Sequence, residues 1–186
     1  MDRRKALKNV AILLGTAVSS STIAVLFENF GLYEADKNSV SFSATDEEIL
    51  GEYADIIIPT TASSQGAKAA GLGAFIPMMV RDCYPANLQQ LFASGMKDML
   101  AKCQNDFNKD FMQLNTEERH KLMTDLTAEA IANKKRPSFF MIARDLTLLG
   151  YFSSEIGCTE AREYLPVPGR YDGNADYKPG QKAWAT

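Results

Sequence analysis

The sequence predicts a mainly α-helical protein: a single compact bundle of about five helices, preceded by an N-terminal signal helix and followed by an irregular aromatic, proline- and glycine-containing arm. Three observations support this prediction. Apolar residues recur at spacings of three and four, helix start signals precede several of these segments, and no segment alternates apolar and polar residues as a half-buried strand does. The predicted organisation is a signal or anchor at 1–28, a linker at 29–43, a helical domain at 44–157 and an extended arm at 158–186.

The first two helices are delimited by a cap, a loop rich in small residues and a proline. Thr45 is the predicted N-cap of the first helix, and Glu48 can close a capping box. Pro59 ends this helix because its ring cannot continue the backbone hydrogen bonds. A loop follows, and a second helix covers 74–84 with Pro77 in its first turn. The apolar face of the first helix consists of Ile49, Leu50, Tyr53, Ile56 and Ile57.

Three longer helices complete the predicted bundle. One covers 87–107, and the segment Asn-Thr-Glu-Glu at 115–118 starts the next. The last begins near Pro137, which suits a first helical turn, and reaches Gly150. Their apolar positions recur at helical spacing: Leu88, Leu91, Phe92, Met96, Met99, Leu100, Cys103, Phe107, Leu122, Met123, Leu126, Phe139, Phe140, Ile142, Ala143, Leu146 and Leu149.

After Gly157 the composition changes. The segment 165–173, Leu-Pro-Val-Pro-Gly-Arg-Tyr-Asp-Gly, suits neither a regular helix nor a central strand. Aromatic residues nevertheless recur in this part of the chain, at Tyr164, Tyr171, Tyr177 and Trp184. Aromatic residues in a proline- and glycine-containing tail indicate an arm that lies on a surface, either of its own domain or of a partner.

The first 26 residues are typical of a twin-arginine export signal. Arg3 and Arg4 precede a moderately apolar run of about 17 residues, at the lower limit for spanning a bilayer. Leu7 and Lys8 follow them as in the pattern Arg-Arg-x-Phe-Leu-Lys, with Ala6 at the usual large apolar position. An ordinary secretory signal and a single membrane anchor are the alternatives. The predicted location is the periplasm, with membrane association through the N-terminal segment.

Charge argues against nucleic acid as a partner. Residues 1–26 hold four of the 20 basic residues and one of the 23 acidic residues, so the remainder carries 16 basic and 22 acidic side chains, a net charge of −6. Both signs are interspersed, which is typical of a solvated surface rather than an acidic binding tract.

The three cysteines, Cys83, Cys103 and Cys158, form an odd set. In an oxidising compartment at least one thiol then stays unpaired within the chain. Cys103 lies on an apolar helical stripe and is predicted to be buried. Cys158 is the candidate for an intersubunit disulfide, because it follows a glycine in an irregular region; a buried, inert cysteine is the alternative.

No catalytic constellation can be assembled from the sequence. His120, the one histidine, lies on a predicted polar helix face and is expected to be exposed to solvent. Ser94 and Lys97 match Ser-x-x-Lys but lack the companion motifs of serine acylases. Neither a nucleotide-binding glycine motif nor a metal-ligand spacing is present, and Asp55 is expected to pair with a backbone amide or a cation of its own domain. We therefore predict no catalytic, cofactor-binding or metal-binding residue in this chain.

Several segments together carry a resemblance to a known family. They are Tyr-Ala-Asp-Ile-Ile-Ile-Pro-Thr-Thr at 53–61 with Gly-Ala-Lys-Ala-Ala-Gly at 66–71, the segment 75–84, Leu-Thr-Leu-Leu-Gly-Tyr-Phe-Ser-Ser-Glu-Ile-Gly at 146–157, and Pro-Val-Pro-Gly-Arg-Tyr at 166–171. In this order, and with the twin arginines, the chain resembles the gluconate 2-dehydrogenase subunit 3 family along its length. The segment 63–65 departs from it, because the family often has a proline before the glycine.

The resemblance implies a heteromeric complex. The family's partner is a flavoprotein of the glucose-methanol-choline oxidoreductase type, which binds FAD and oxidises a sugar or polyol. A cytochrome c subunit often takes the electrons. The small subunit itself binds no cofactor; it helps the flavoprotein mature and supplies the signal that the twin-arginine translocase reads. The chain is therefore expected to be such a non-catalytic subunit.

Two regions are predicted to contact the partner: the end of the last helix, where an aromatic pair and a cysteine follow one another, and the arm. The residues are Tyr151, Phe152, Glu155, Cys158, Pro168, Tyr171 and Trp184. Core packing is the open alternative for Tyr151 and Phe152. At the level of function the alternatives are a free-standing periplasmic helical binding module, membrane-anchored by an uncleaved signal, and an enzyme of unrecognised type.

Overall fold

The computed structural model describes residues 40–133, 137–167, 169, 174, 176 and 178–185. The predicted export signal at Arg3, Arg4, Leu7 and Lys8 lies outside these residues, and so do Pro168 and Tyr171 of the predicted interface. None of the helices in the described part of the chain is long and apolar enough to cross a membrane.

The described part is mainly helical, as predicted. Its α-helices are α1 (Ala44–Ile57), α2 (Leu72–Cys83), α3 (Ala86–Phe107), α4 (Thr116–Ala132) and α5 (Phe139–Ser153). The described part also contains three short elements. A 3₁₀ turn (Phe111–Gln113) lies between α3 and α4. A π-helical turn (Gly157–Ala161) and a parallel pair of two-residue strands, β1 (Glu163–Tyr164) and β2 (Trp184–Ala185), follow α5. The strand pair was not anticipated.

The caps of two helices test the predicted start signals. Asn115 caps α4: its side chain accepts a hydrogen bond from the Glu118 amide, and the Glu118 carboxylate accepts one from the Asn115 amide, both at 2.9 Å. The prediction for α1 is wrong by two residues. Ser43 is the N-cap, and Asp46 closes the capping box by accepting from the Ser43 amide at 2.8 Å. Ser43 and Asp46 form the same kind of capping box one half-turn earlier, so the helix begins at Ala44 and Thr45 becomes part of it.

Two prolines also lie elsewhere than predicted. Pro77 is inside α2 rather than in its first turn, because the helix begins at Leu72. Pro137 precedes α5, and Ser138 is the N-cap, accepting from the Met141 amide at 3.3 Å. Helix α5 itself continues three residues beyond Gly150. The missing N–H of Pro77 removes one helical hydrogen bond, which is tolerated here among the buried residues of α2.

An aromatic cluster forms the centre of the core. Tyr53 packs against Phe139 with ring centroids 5.3 Å apart and against Phe111 at 6.4 Å, and Phe139 packs against Phe92 at 4.9 Å. Helix α5 contacts α1, α2, α3 and α4, so it is the element that holds the bundle together. Cys103 is fully buried in this core, as predicted.

The loop between α1 and α2 is fixed to the body by polar contacts. Asp55 accepts a hydrogen bond from the Lys68 amide at 3.2 Å, which confirms the predicted backbone partner. Gly66 lies against the same carboxylate: a Cβ at this position would come within 2.4 Å of the Asp55 Oδ1 atom. The glycine is therefore required by close approach, and the loop is ordered rather than a free linker.

Candidate partner interface

The end of α5 is joined to the α1–α2 loop. Tyr151 is only 1 % exposed, and its hydroxyl donates to the Gln65 carbonyl at 2.7 Å. Its ring meets that of Phe152 edge to face at 5.2 Å. Phe152 is half-buried, with the Arg162 guanidinium 4.6 Å from its ring centroid, a cation–π contact. Tyr151 thus packs inside this domain, and Phe152 lies at its boundary.

A π-helical turn directs the chain away from α5. The Ser154 carbonyl accepts from the Cys158 amide at 2.9 Å, and its hydroxyl accepts from the Gly157 amide at 3.1 Å. A Cβ at position 157 would lie 1.9 Å from the Tyr151 carbonyl oxygen, so the turn requires glycine. The Cys158 thiol is half-buried, unpaired with another cysteine, and 3.3 Å from the Phe152 carbonyl oxygen.

Glu160 links this turn to two other segments. Its carboxylate accepts from the Gln65 backbone amide at 2.8 Å and from the Gln65 side-chain amide at 3.2 Å. Its carbonyl accepts a hydrogen bond from the Lys182 ammonium group. We call Gln65, Tyr151, Glu160 and Lys182 the junction, since they join the α1–α2 loop, the end of α5 and the arm through hydrogen bonds.

Beyond the junction the chain forms a parallel ribbon. The Glu163 amide donates to the Ala183 carbonyl at 2.9 Å, and the Leu165 amide donates to the Ala185 carbonyl at 3.1 Å. Ala185 is buried, which fixes the end of β2. The large apolar side chains around the ribbon are exposed instead; they are Leu165 (38 %), Trp184 (50 %), Tyr164 (52 %) and Val167 (77 %), and we call them the arm patch.

Two other polar groups, the Glu52 carboxylate and the Tyr53 hydroxyl, lie within the helical domain. Glu52 accepts hydrogen bonds from the Lys68 ammonium and from the Arg119 guanidinium, the latter at 2.7 Å. These two cations hold the pKa of the Glu52 carboxyl below its ordinary value, because they stabilise the charged form. Tyr53 is different: its hydroxyl is buried and has no hydrogen-bond partner among the described residues, and burial raises the pKa of Tyr53.

The structure places the residues that the sequence offered as catalytic or metal-binding candidates. His120 is exposed on α4, as predicted, and the Ser94 hydroxyl donates to the Leu91 carbonyl at 3.1 Å within its own helix. Across the ranges that the structure describes, no group of three or more histidine, cysteine, aspartate or glutamate side chains could hold a metal ion. The distinctive features of the candidate interface are thus the exposed apolar side chains of the arm patch and the hydrogen bonds of the junction.

Comparison with known proteins identifies the family. Residues 44–169, which include all five helices, the π-helical turn and β1, match the model of the family described as Gluconate 2-dehydrogenase subunit 3. The chain belongs to this family. Its members are small subunits of dehydrogenase complexes. The search of curated proteins gave no match for this subunit 3 chain, and the search of solved structures gave none.

The fold of this subunit 3 chain brings several predicted interface residues into one region. Phe152, the exposed Glu155 and Cys158 lie at the end of α5 and in the turn after it, and Trp184 joins them through the pairing of β2 with β1. Their contact with a partner stays a prediction. Sequence reasoning missed the rest of the junction, namely Gln65, Glu160 and Lys182, and the exposed Leu165 and Val167; it noted Tyr164 as an aromatic residue of the arm but did not place it in the interface. Only the aromatic content of the arm could have pointed to Tyr164.

Proposed function

We propose that this chain is the non-catalytic small subunit of a periplasmic FAD-dependent sugar or polyol dehydrogenase complex. It assists the maturation of the flavoprotein subunit and its export through the twin-arginine translocase. Family membership supports the placement in a dehydrogenase complex. The observation that supports a partner-binding role most directly is the arm patch, where four large apolar side chains stay exposed beside a hydrogen-bonded junction.

The arm patch has the properties of a binding surface. Trp184 and Tyr164 are residue types that dominate the energetics of protein interfaces, and each is about half exposed here. Fixing them beforehand lowers the entropy cost of association, because less ordering remains to be done on binding. The ribbon hydrogen bonds and the Lys182–Glu160 contact supply that fixation. A flavoprotein surface with a complementary apolar area would complete the interface.

The chemistry of the complex belongs to the partner in this proposal. The partner, of the glucose-methanol-choline type, binds FAD and oxidises the substrate, and a cytochrome c subunit accepts the electrons. The segment with Arg3 and Arg4 supplies the export signal for both chains, and it associates the complex with the membrane if it is retained. A folded, FAD-loaded enzyme needs such a carrier, since the twin-arginine route transports folded proteins.

The test is affinity purification of the chain, tagged at its C-terminus, from the membrane and periplasmic fractions of its own host. The expected product is a yellow complex with a flavin absorption spectrum and a second, larger band. A colourless single chain would contradict the proposal. A matched variant, Arg3→Lys with Arg4→Lys, should retain the complex in the cytoplasm, because the translocase reads the arginine pair.

The same preparation tests the intersubunit disulfide. On a gel without reductant, wild-type protein should run as a linked pair that separates on reduction. Cys158→Ser should abolish the link, whereas Cys83→Ser, which changes an exposed cysteine on α2, should leave it intact. If Cys83→Ser abolished the link and Cys158→Ser did not, the intersubunit disulfide would belong to Cys83 and the prediction for Cys158 would be wrong.

A groove in the described body favours the alternative of a binding module. It has a volume of about 500 Å³ and lies between α1, α3 and the 3₁₀ turn, with Ile49, Leu100 and Phe111 among its lining residues. Such a volume suits a small apolar ligand. Under this alternative, the wild-type chain recovers no flavoprotein, and Leu100→Trp fills the groove and abolishes ligand binding.

A further inference from the structure

The hydrogen-bond pattern of the ribbon leaves one edge of β1 unpaired within the part of the chain that the structure describes. In a parallel pair, the N–H and C=O groups of successive residues point alternately toward the neighbouring strand and away from it. The amides of Glu163 and Leu165 donate to β2. The N–H and C=O of Tyr164, between them, are therefore directed to the opposite side.

The described residues do not cover this edge. Neither the N–H nor the C=O of Tyr164 forms a hydrogen bond with another residue in the described ranges, and the Tyr164 side chain is half exposed. The exposed chain continues through Leu165 to Val167. A two-stranded ribbon is marginally stable alone, and an open strand edge is a template for further pairing. The geometry thus accommodates a third strand at β1.

We propose that an extended segment of the dehydrogenase subunit adds to this edge of β1 as a third strand. This inference rests on the proposed function, and it specifies how the partner binds. The occupant must offer a backbone N–H and C=O to Tyr164, as in other cases of recognition by strand addition. Family membership supplies the candidate chain, because members are subunits of dehydrogenase complexes.

Side chains around the edge define the composition of the segment. Residues paired across a ribbon project to the same face, so Glu163 shares a face with Trp184, and Leu165, two residues on, projects there too. Glu163 is exposed and forms no salt bridge within the described residues. The expected segment therefore has apolar residues facing Trp184 and Leu165 and a lysine or arginine near Glu163.

Proline substitution tests this edge selectively. Tyr164→Pro removes the aromatic ring and the outward N–H of β1, while the Glu163 and Leu165 amides that hold the ribbon remain. Tyr164→Ala is the matched control, because it removes the ring and keeps the N–H. The full-length variants are tagged and purified from the host, their helical content is checked by circular dichroism, and their affinity for the dehydrogenase subunit is measured.

Loss of a backbone hydrogen bond and obstruction of the edge should weaken binding by about tenfold in Tyr164→Pro relative to Tyr164→Ala. Equal affinity of the two variants would overturn the inference, and so would a Tyr164 amide that exchanges with solvent equally fast in the free subunit and in the complex. Protection of that amide on binding supports it, and this readout requires no substitution.

The failure of the proposed function gives a different result. If wild-type protein recovers no dehydrogenase subunit, both proposals fall. If wild type and Tyr164→Pro recover the same amount, strand addition falls and the accessory-subunit role remains. A wild-type homodimer that Tyr164→Pro dissociates would assign the edge to a second copy of this chain and overturn the inference.

Discussion

The Glu160 carboxylate accepts two hydrogen bonds from Gln65, a residue that lies 95 positions earlier in the chain. The Gln65 carbonyl in turn accepts from the Tyr151 hydroxyl. Gln65 is therefore held through its backbone N–H, its backbone C=O and its side chain, from two directions. Because Lys182 also contacts Glu160, the position of the arm depends on the same small set of polar contacts.

Glu160→Gln should loosen this junction. The amide that replaces the carboxylate has one acceptor oxygen and no charge, so the free energy of unfolding should fall by about 1 kcal/mol and the Gln65 amide should exchange faster. Urea denaturation and hydrogen exchange measure the two effects. Glu163→Gln is the control, because this exposed side chain in the adjoining strand forms no hydrogen bond or salt bridge within the described residues. Equal changes in the free energy of unfolding of both variants would show that the loss of a negative charge, and not the loss of the contact with Gln65, causes the destabilisation.

Removal of a hydroxyl should have opposite effects at two buried tyrosines. Tyr53→Phe removes a buried hydroxyl that has no hydrogen-bond partner in the described ranges, and it should raise the free energy of unfolding by about 1 kcal/mol. Tyr151→Phe removes the donor to Gln65 and should lower it by about 1 kcal/mol. Each variant is the control for the other, since the chemical change is identical. Destabilisation by Tyr53→Phe would reveal a hydrogen-bond partner for that hydroxyl.

Gly157→Ala should strongly destabilise the turn after α5. The added methyl group would meet the Tyr151 carbonyl oxygen at 1.9 Å, and relieving that overlap requires a backbone shift that costs about 3 kcal/mol. Gly169→Ala provides the control, because among the described residues no atom outside its chain neighbours lies within 4 Å of a Cβ at that position. Thermal denaturation of both variants checks the prediction, which fails if their midpoints coincide.

Stability should depend on Glu52 in acid. The folded-state pKa of this carboxyl lies below its ordinary value of 4.5, so its stabilising contribution is present above that value and is lost as the pH falls through the folded-state pKa. The difference in unfolding free energy between wild type and Glu52→Gln should therefore shrink below about pH 4.5. Denaturation curves at several pH values measure it. A difference that stays constant with pH for Glu52→Gln would contradict the assignment.

Trp184→Ala should weaken association with the dehydrogenase subunit without unfolding the bundle. Truncation of a central aromatic anchor typically costs about 2 kcal/mol, a loss of about thirtyfold in affinity. Ile131→Ala changes a similarly exposed apolar residue on α4 and should leave affinity unchanged. Binding measurements on the two purified variants decide between a contact at the arm patch and general surface hydrophobicity, which would affect both.

Periodicity was sufficient to predict the helices, because amphipathic spacing is a local property that tertiary contacts reinforce. The error at α1 arose because Ser43 with Asp46 and Thr45 with Glu48 are overlapping start signals of the same type. The contact between Gln65 and Glu160 was not predictable, since nothing local relates positions so far apart. The ribbon strands are two residues long, too short for any alternation to be detected.

Gly157 has a consequence for comparing related sequences. Because the site excludes even a methyl group, a homologue with any other residue at the matching position must leave its last long helix along a different path. The residue aligned with Gly157 would then divide the family into members whose arm follows the path seen here and members whose arm follows another path. Partner choice could be compared between the two groups before any further structure is determined.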